Sequence, residues 1–174
     1  MHIYRISKAF EELGIWITEE EALRFQLDYE TFQNEIKLIE EFPQIFELLL
    51  QRGAKVGIIT NGANDNQLRK INQLGLEKWI VPENMLVSEG AGVSKPSKEI
   101  FEAMERRMGL SKNDVYYIGD NFDNDVIGAT AAGWKTIWVN FRNHKTIGQE
   151  VSATYVVESP QELLRLVDVL TIGL

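Results

Sequence analysis

The chain has 174 residues, no cysteine and a formal net charge of −8 at pH 7. Without cysteine it has no disulfide, no thiol nucleophile and no cysteine-ligated metal, which fits a reducing compartment. The negative charge disfavours nonspecific nucleic-acid binding. No apolar run is long enough to span a bilayer and no signal-peptide pattern is present, so a cytoplasmic protein without a membrane partner is the expectation.

The N-terminal region, residues 1–41, predicts helices. Apolar side chains recur at helical spacing up to residue 13, and Gly14 follows them. Thr18 begins a capping box for a second helix, and a third helix is predicted over about residues 29–40. Residues 1–6 could instead form a strand, although their spacing favours a helix.

From Pro43 onward, helical and strand patterns alternate. Short, continuous apolar runs predict buried strands at residues 55–59, 85–87, 115–118, 136–139 and 155–157. Amphipathic segments between them predict helices, for example one beginning near Asn124. Strands that alternate with helices predict a three-layer α/β core with a mostly parallel sheet covered on both faces.

Polar residues follow three of the predicted strands. In chain order they are Thr60, Asn61 and Gly62, then Lys95, then Asp120, Asp123 and Asp125. Because the carboxyl ends of parallel strands meet at one edge of a sheet, we expect these side chains to lie close together.

These residue types suit phosphoryl transfer. Hydroxyl, amide and backbone N–H groups bind phosphate oxygens, a lysine neutralises them, and carboxylates hold Mg²⁺. Each group has a simpler explanation when taken alone: a common turn, a solvated lysine and an acidic helix cap. An EF-hand is excluded, because the glycine and the distal glutamate of that motif are missing. The three groups in this order are much more specific than any one of them.

In this combination the sequence resembles the haloacid dehalogenase-like hydrolase superfamily. The similarity is carried by Ile58-Ile59-Thr60-Asn61-Gly62, by Lys95-Pro96 before a helix, and by Ile118-Gly119-Asp120 with Asp125 downstream. The resemblance implies a Rossmann-like core over residues 42–174 and a remnant helical cap over residues 1–41. It also implies a Mg²⁺-dependent phosphatase of small phosphorylated metabolites that forms an aspartyl-phosphate.

The resemblance also implies a role for each site residue. The turn at residues 60–62 would bind the transferring phosphoryl group. Lys95 would stabilise the aspartyl-phosphate. Asp120 would ligate Mg²⁺, and Asp125 would support the metal site or hold Lys95.

One motif of the family is missing. The Asp-x-Asp-x-Thr or Val motif, which supplies the nucleophile and the general acid/base, does not occur in the sequence. Its strand normally lies between the strands of Ile58 and Ile118. We therefore expect either a truncated chain or another occupant of that place: residues 1–6, a segment of another protomer, or direct closure of the sheet. The chain as given is expected to bind metal weakly and to be inactive.

Two alternatives remain open at this point. The missing nucleophile also fits a non-catalytic phosphate- or metal-binding protein of the same family. A phosphoacceptor receiver domain uses the same residue types, but Thr60 and Lys95 precede Asp120 here, which is the wrong order. Arg142 could face a substrate, although a surface position is the stronger expectation. The sequence predicts neither the substrate's identity nor the oligomeric state.

Overall fold

The computed structural model describes residues 2–146 and 150–172, and the chain forms two compact units, Met1–Lys37 and Leu38–Leu174. The first unit contains two helices, α1 (His2–Glu12) and α2 (Glu19–Gln33). They pack on each other through an edge-to-face contact between Phe10 and Phe25. The predicted capping box is present at the start of α2, so this helix begins where the sequence indicates.

The third helix predicted over residues 29–40 is wrong. Helix α2 continues to Gln33, and the N–H group of Asn34 closes its last turn. Turns and non-helical chain follow up to residue 40. The apolar residues that suggested a helix do not share a buried face, since Phe32 is 68% exposed and Ile39 is 43% exposed. Helical spacing alone therefore misled the prediction here.

The second unit alternates helices and strands in its described residues. In chain order these are α3 (Glu41–Gln51), β1 (Ile58–Thr60), α4 (Asn64–Gln73), β2 (Met85–Val87), α5 (Ser88–Ala91), α6 (Lys98–Met108), β3 (Tyr116–Gly119), α7 (Gly128–Ala131), β4 (Lys135–Val139), β5 (Tyr155–Val157) and α8 (Pro160–Leu170). A π-helical turn, Phe122–Ile127, precedes α7 in the region where a regular helix was predicted from Asn124.

The strands form two parallel sheets rather than one. Strand β1 pairs with β2, with Ile58 opposite Met85. Strand β4 pairs with β3 on one side and with β5 on the other. Within residues 2–146 and 150–172, no strand pairing joins β1 to β3. The sheet has thus not closed directly, and residues 2–6 lie in α1 rather than in a strand.

Helices cover both faces of these sheets, which confirms the predicted α/β fold. On one face, α6 and α7 contribute to a core of Ile59, Leu86, Ile100, Phe101, Met104, Ala129, Ala132 and Trp134. On the other face, α3 and α8 enclose Ile45, Ile137, Val157, Leu163 and Val167. A third cluster beside β2 holds Ile71, Leu76, Ile80 and Met85. Side chains that alternate along each strand reach both layers of helices.

The helices of the described residues are too short or too polar to cross a membrane. The longest, α2, has 15 residues and begins with three glutamates. A membrane-spanning helix needs about 20 mostly apolar residues.

The fold predicts a large stability loss for Phe101→Ala. Phe101 is fully buried, and its ring packs edge-on against Tyr117 and Trp134. Removing the ring should lower the free energy of unfolding by about 3–5 kcal/mol, as measured by urea denaturation. The control Phe32→Ala, in an exposed position of the first unit, should change it by no more than about 0.5 kcal/mol. Equal losses in the two variants would contradict this packing.

Candidate functional site

The polar residues predicted at the strand ends lie at one edge of the two sheets. Asn61 follows β1, and its amide nitrogen donates to the Lys95 carbonyl over 2.9 Å. The Lys95 N–H group donates back to the Asn61 side-chain oxygen, also over 2.9 Å. The Lys95 side chain in turn contacts Asp125, which follows β3. Loop contacts therefore connect the ends of β1 and β3, although these strands do not pair.

A buried ion pair forms the centre of the site. The Lys95 Nζ atom donates to Asp125 Oδ1 over 2.7 Å and to the Tyr117 hydroxyl over 2.9 Å. The two charged side chains are only 12% and 6% exposed. Because desolvated charges are costly without a partner, each holds the other in place. The structure thus brings two of the predicted site residues into direct contact.

Sequence patterns did not predict the part played by Tyr117. Its ring packs in the core against Phe101 and Trp134, while its hydroxyl reaches the site. Burial, followed by the negative charge of Asp125, raises the pKa of this phenol above its usual value. The neutral hydroxyl accepts from Lys95 and donates to the Ile59 carbonyl over 3.1 Å. A tyrosine within an apolar strand beside an acidic motif was the available signal, because a buried tyrosine hydroxyl usually has a hydrogen-bond partner.

The two aspartates after β3 lie in different environments. Asp125 is 4% exposed, and its second oxygen accepts from the Asn121 N–H group over 3.0 Å. Asp120 is exposed, and its backbone carbonyl accepts from the Trp138 indole over 3.0 Å. A Cβ atom at Gly119 would lie 2.5 Å from the Asp125 carboxyl group. The glycine therefore allows the buried carboxylate to approach the end of the strand.

The turn at residues 60–62 is held by internal hydrogen bonds. The Thr60 hydroxyl donates to Gln67 Oε1 over 2.9 Å. The Gly62 N–H group donates to the Ser88 hydroxyl over 2.9 Å. Ser88 directly follows β2, so the polar residues after this strand that contribute to the edge include Ser88 as well as Lys95. The side-chain amide of Asn61 is engaged with the Lys95 backbone.

The donor set for Mg²⁺ is small. In the described part of the chain, no three acidic or histidine side chains lie close enough to hold a metal ion together. Mg²⁺ commonly keeps several waters and uses one or two carboxylates together with a phosphate oxygen. The exposed carboxylate of Asp120 fits that type of site. Both oxygens of Asp125 already accept hydrogen bonds, which fits a supporting position better than a ligand position.

A cavity of about 440 Å³ lies beside Asp120. Its lining includes Val139 and Phe141, together with the polar side chains of Arg142 and His144. Pockets for small ligands typically measure about 300–1,000 Å³. Arg142 is exposed, as expected, and it also faces this cavity.

The sequence is similar to known proteins over most of its length. The sequence matches the haloacid dehalogenase-like hydrolase family over residues 4–139. It is 29% identical over 141 residues to a glyceraldehyde 3-phosphate phosphatase of Methanocaldococcus jannaschii, which covers 79% of this chain and 61% of the relative. It is 33% identical over 118 residues to the pyrimidine 5'-nucleotidase YjjG of Escherichia coli, which covers 67% of this chain and 51% of that relative. The chain thus spans between half and two thirds of the length of these relatives.

The fold also has counterparts among solved structures. The crystal structure of YfnB from Bacillus subtilis, bound to magnesium, superposes with a TM-score of 0.75 and 26% identity. The match covers 96% of this chain and 71% of that one. The similarity therefore extends through nearly all of this sequence.

The ion pair predicts different stability losses for buried and exposed charges. Lys95→Met and Asp125→Asn should each lower the free energy of unfolding by about 3–5 kcal/mol, because each leaves a buried charge without its counterion. The control is Asp168→Asn, which breaks the 3.1 Å pair between Arg52 and Asp168. In that pair the Arg52 side chain is 34% exposed and the Asp168 side chain is 55% exposed. That loss should stay below about 1 kcal/mol. Urea denaturation measures both, and similar losses at the two pairs would contradict the burial of Lys95.

Proposed function

The chain belongs to the haloacid dehalogenase-like hydrolase family, and we propose that it forms the phosphate- and Mg²⁺-binding part of a phosphatase site. The observation that carries this proposal is the buried Lys95–Asp125 pair, whose members hydrogen-bond to Asn61 and Asn121, the sequence neighbours of Thr60 and Asp120. The named activities of the phosphatase and nucleotidase relatives support it.

Lys95 would act on the phosphoryl group as a fixed positive charge. Its ammonium group is oriented by Asp125 and Tyr117 before any ligand binds, so little reorganisation would be needed. A charge held in this way favours the anionic oxygens of a phosphate ester. The Thr60 hydroxyl and the backbone N–H groups of residues 61–62 would donate the remaining hydrogen bonds to phosphoryl oxygens, with the Thr60 hydroxyl turning from Gln67 and the Gly62 N–H group from Ser88.

Asp120 would hold Mg²⁺, with Asp125 as a support for Lys95. A bound Mg²⁺ would neutralise charge on the phosphoryl oxygens. The Trp138–Asp120 hydrogen bond would keep the backbone of the metal-binding residue in place. The adjoining 440 Å³ cavity, with Arg142 in its lining, would accept the rest of a small phosphorylated metabolite.

We propose phosphate and Mg²⁺ binding for these residues, but no hydrolysis of a phosphate ester. The sequence contains no Asp-x-Asp-x-Thr or Val pattern, and we assign no nucleophile to the described residues. These 174 residues by themselves would therefore bind a phosphate and Mg²⁺ without hydrolysing an ester. A non-catalytic regulatory role for the chain is the second candidate, and the same missing nucleophile favours it.

Calorimetry with inorganic phosphate and Mg²⁺ tests the binding roles. We expect binding of phosphate that is stronger with Mg²⁺ present, and a loss of about tenfold or more in Mg²⁺ affinity for Asp120→Asn. The matched control is Asp123→Asn, a neighbouring exposed aspartate, which should leave the affinity unchanged. Lys95→Met should weaken phosphate binding even without the metal.

Turnover of p-nitrophenyl phosphate by the same preparation distinguishes the outcomes. Binding without turnover is the expected result. Mg²⁺-dependent turnover by the 174 residues would contradict the proposed lack of a nucleophile. Absence of phosphate binding at millimolar concentrations would contradict the assigned binding roles.

A further inference from the structure

The loop after β4 begins with a tight turn that is anchored to the sheet. The Asn143 N–H group donates to the Asn140 carbonyl over 3.0 Å, so Phe141 and Arg142 occupy the two central positions of the turn. The Asn140 N–H group donates to the Val157 carbonyl of β5 over 2.8 Å, which fixes the start of the turn. Arg142 therefore belongs to an anchored turn of the sheet.

A buried side chain closes this turn. Asn140 is only 5% exposed, and its side-chain oxygen accepts from the His144 N–H group over 2.8 Å. Its side-chain nitrogen donates to the His144 carbonyl over 3.1 Å. Asparagine is typical of the first position of such turns, because its short polar side chain bonds to the nearby backbone. The backbone that bears Arg142 and His144 is thus fixed by hydrogen bonds within the chain.

The turn contributes to the lining of the 440 Å³ cavity beside Asp120. Val139 and Phe141 supply part of its apolar surface, and Arg142 and His144 supply polar groups. Asp120 is the acidic residue of this lining. The cavity therefore combines one carboxylate with a guanidinium and an imidazole, next to the strand end that we propose to bind Mg²⁺.

The Arg142 guanidinium has no partner within residues 2–146 and 150–172. The ion pairs of these residues join other side chains, and none of their hydrogen bonds comes from the Arg142 side chain. Arg142 and Asp120 thus line the same cavity without forming a pair. An arginine fork matches a carboxylate or a phosphate through two parallel hydrogen bonds. Its place in a cavity, beside a proposed metal ligand, distinguishes Arg142 from an arginine that contacts only water.

A ligand bound by its phosphoryl group at Asp120 would extend into this cavity towards Arg142. A neutral tail would leave the guanidinium without a counterion. A second anionic group would pair with it, and the apolar surface of Val139 and Phe141 would strengthen that pair by excluding water. The Asp120 carboxylate would repel a second anion, and a bound Mg²⁺ would offset this repulsion.

We propose that the site selects phosphate esters that carry a second anionic group, a carboxylate or a second phosphate, and that Arg142 binds this group in the cavity beside Asp120. This selectivity rests on the proposed function and deepens it, because it names the chemical class of the ester. The His144 ring would add a hydrogen-bond donor. Esters of neutral alcohols would be held by their phosphoryl group alone.

Calorimetry on the 174-residue chain in the presence of Mg²⁺ tests this selectivity. Inorganic phosphate reports on the phosphoryl position. Glycerol 3-phosphate adds a neutral tail, and 3-phosphoglycerate carries a carboxylate in place of the terminal hydroxymethyl group. We expect 3-phosphoglycerate to bind about tenfold or more tightly than glycerol 3-phosphate, the effect of charge-assisted hydrogen bonds. Propane-1,3-diol bisphosphate, with a second phosphate at the far end, shows which anion Arg142 prefers.

Variants of the turn locate the second anion. Arg142→Gln should abolish the preference, and Arg142→Lys should restore part of it, because lysine keeps the charge but not the planar fork. Arg142 is exposed, so neither change should affect folding, which thermal unfolding checks. The control is Lys145→Gln, which removes a neighbouring positive charge at an exposed, described residue that does not line the cavity. This control should keep the full preference.

Two kinds of failure are distinguishable. No binding of inorganic phosphate or of any ester at millimolar concentration would overturn both the proposed function and the selectivity. Phosphate binding with equal affinities for all three esters would overturn the selectivity alone. A preference that survives Arg142→Gln, or that Lys145→Gln abolishes equally, would also overturn it. A preference for only one of the two doubly anionic esters would support it and identify the anion.

Discussion

The ion pair between Lys95 and Asp125 is the interaction on which the rest of the site depends. Its two residues follow strands of different sheets, Lys95 after β2 and Asp125 in the π-helical turn after β3, and the 2.7 Å contact joins them. Because both side chains are nearly buried, neither charge can turn to solvent at low cost. The pair therefore fixes the relative positions of the ends of β1 and β3 where strand pairing does not.

This arrangement explains how the site keeps its geometry between two sheets that do not pair with each other. Asn61 binds the backbone of Lys95 from one side, and Tyr117 binds its ammonium group from the other. The Asn121 N–H group then orients the far oxygen of Asp125. Each polar group in this network has a partner, which is the condition under which a buried network gives a unique arrangement.

Much of the core could be predicted from the sequence because its signals are local. Strand β2 and strand β5 lie where their apolar runs indicated, and the polar residues after the strands meet at one edge as parallel topology requires. The helix expected near residues 29–40 was wrong, since spacing alone does not show whether apolar side chains share a buried face. Tyr117 and Ser88 were missed because their partners lie more than 20 residues away along the chain. Gln67 was missed because its bond to Thr60, seven residues earlier, depends on the turn between β1 and α4, which no periodic pattern reports.

Tyr117 belongs both to the apolar core and to the polar network, and this limits which substitutions its neighbours can accept. Its ring is a core residue between Phe101 and Trp134, while its hydroxyl is part of the polar network. Any replacement that shifts those two aromatic neighbours would also move the hydroxyl and the ammonium group it contacts. Core packing and the geometry of the polar network are therefore not independent in this protein, and substitutions at positions 101 and 134 would be constrained by both.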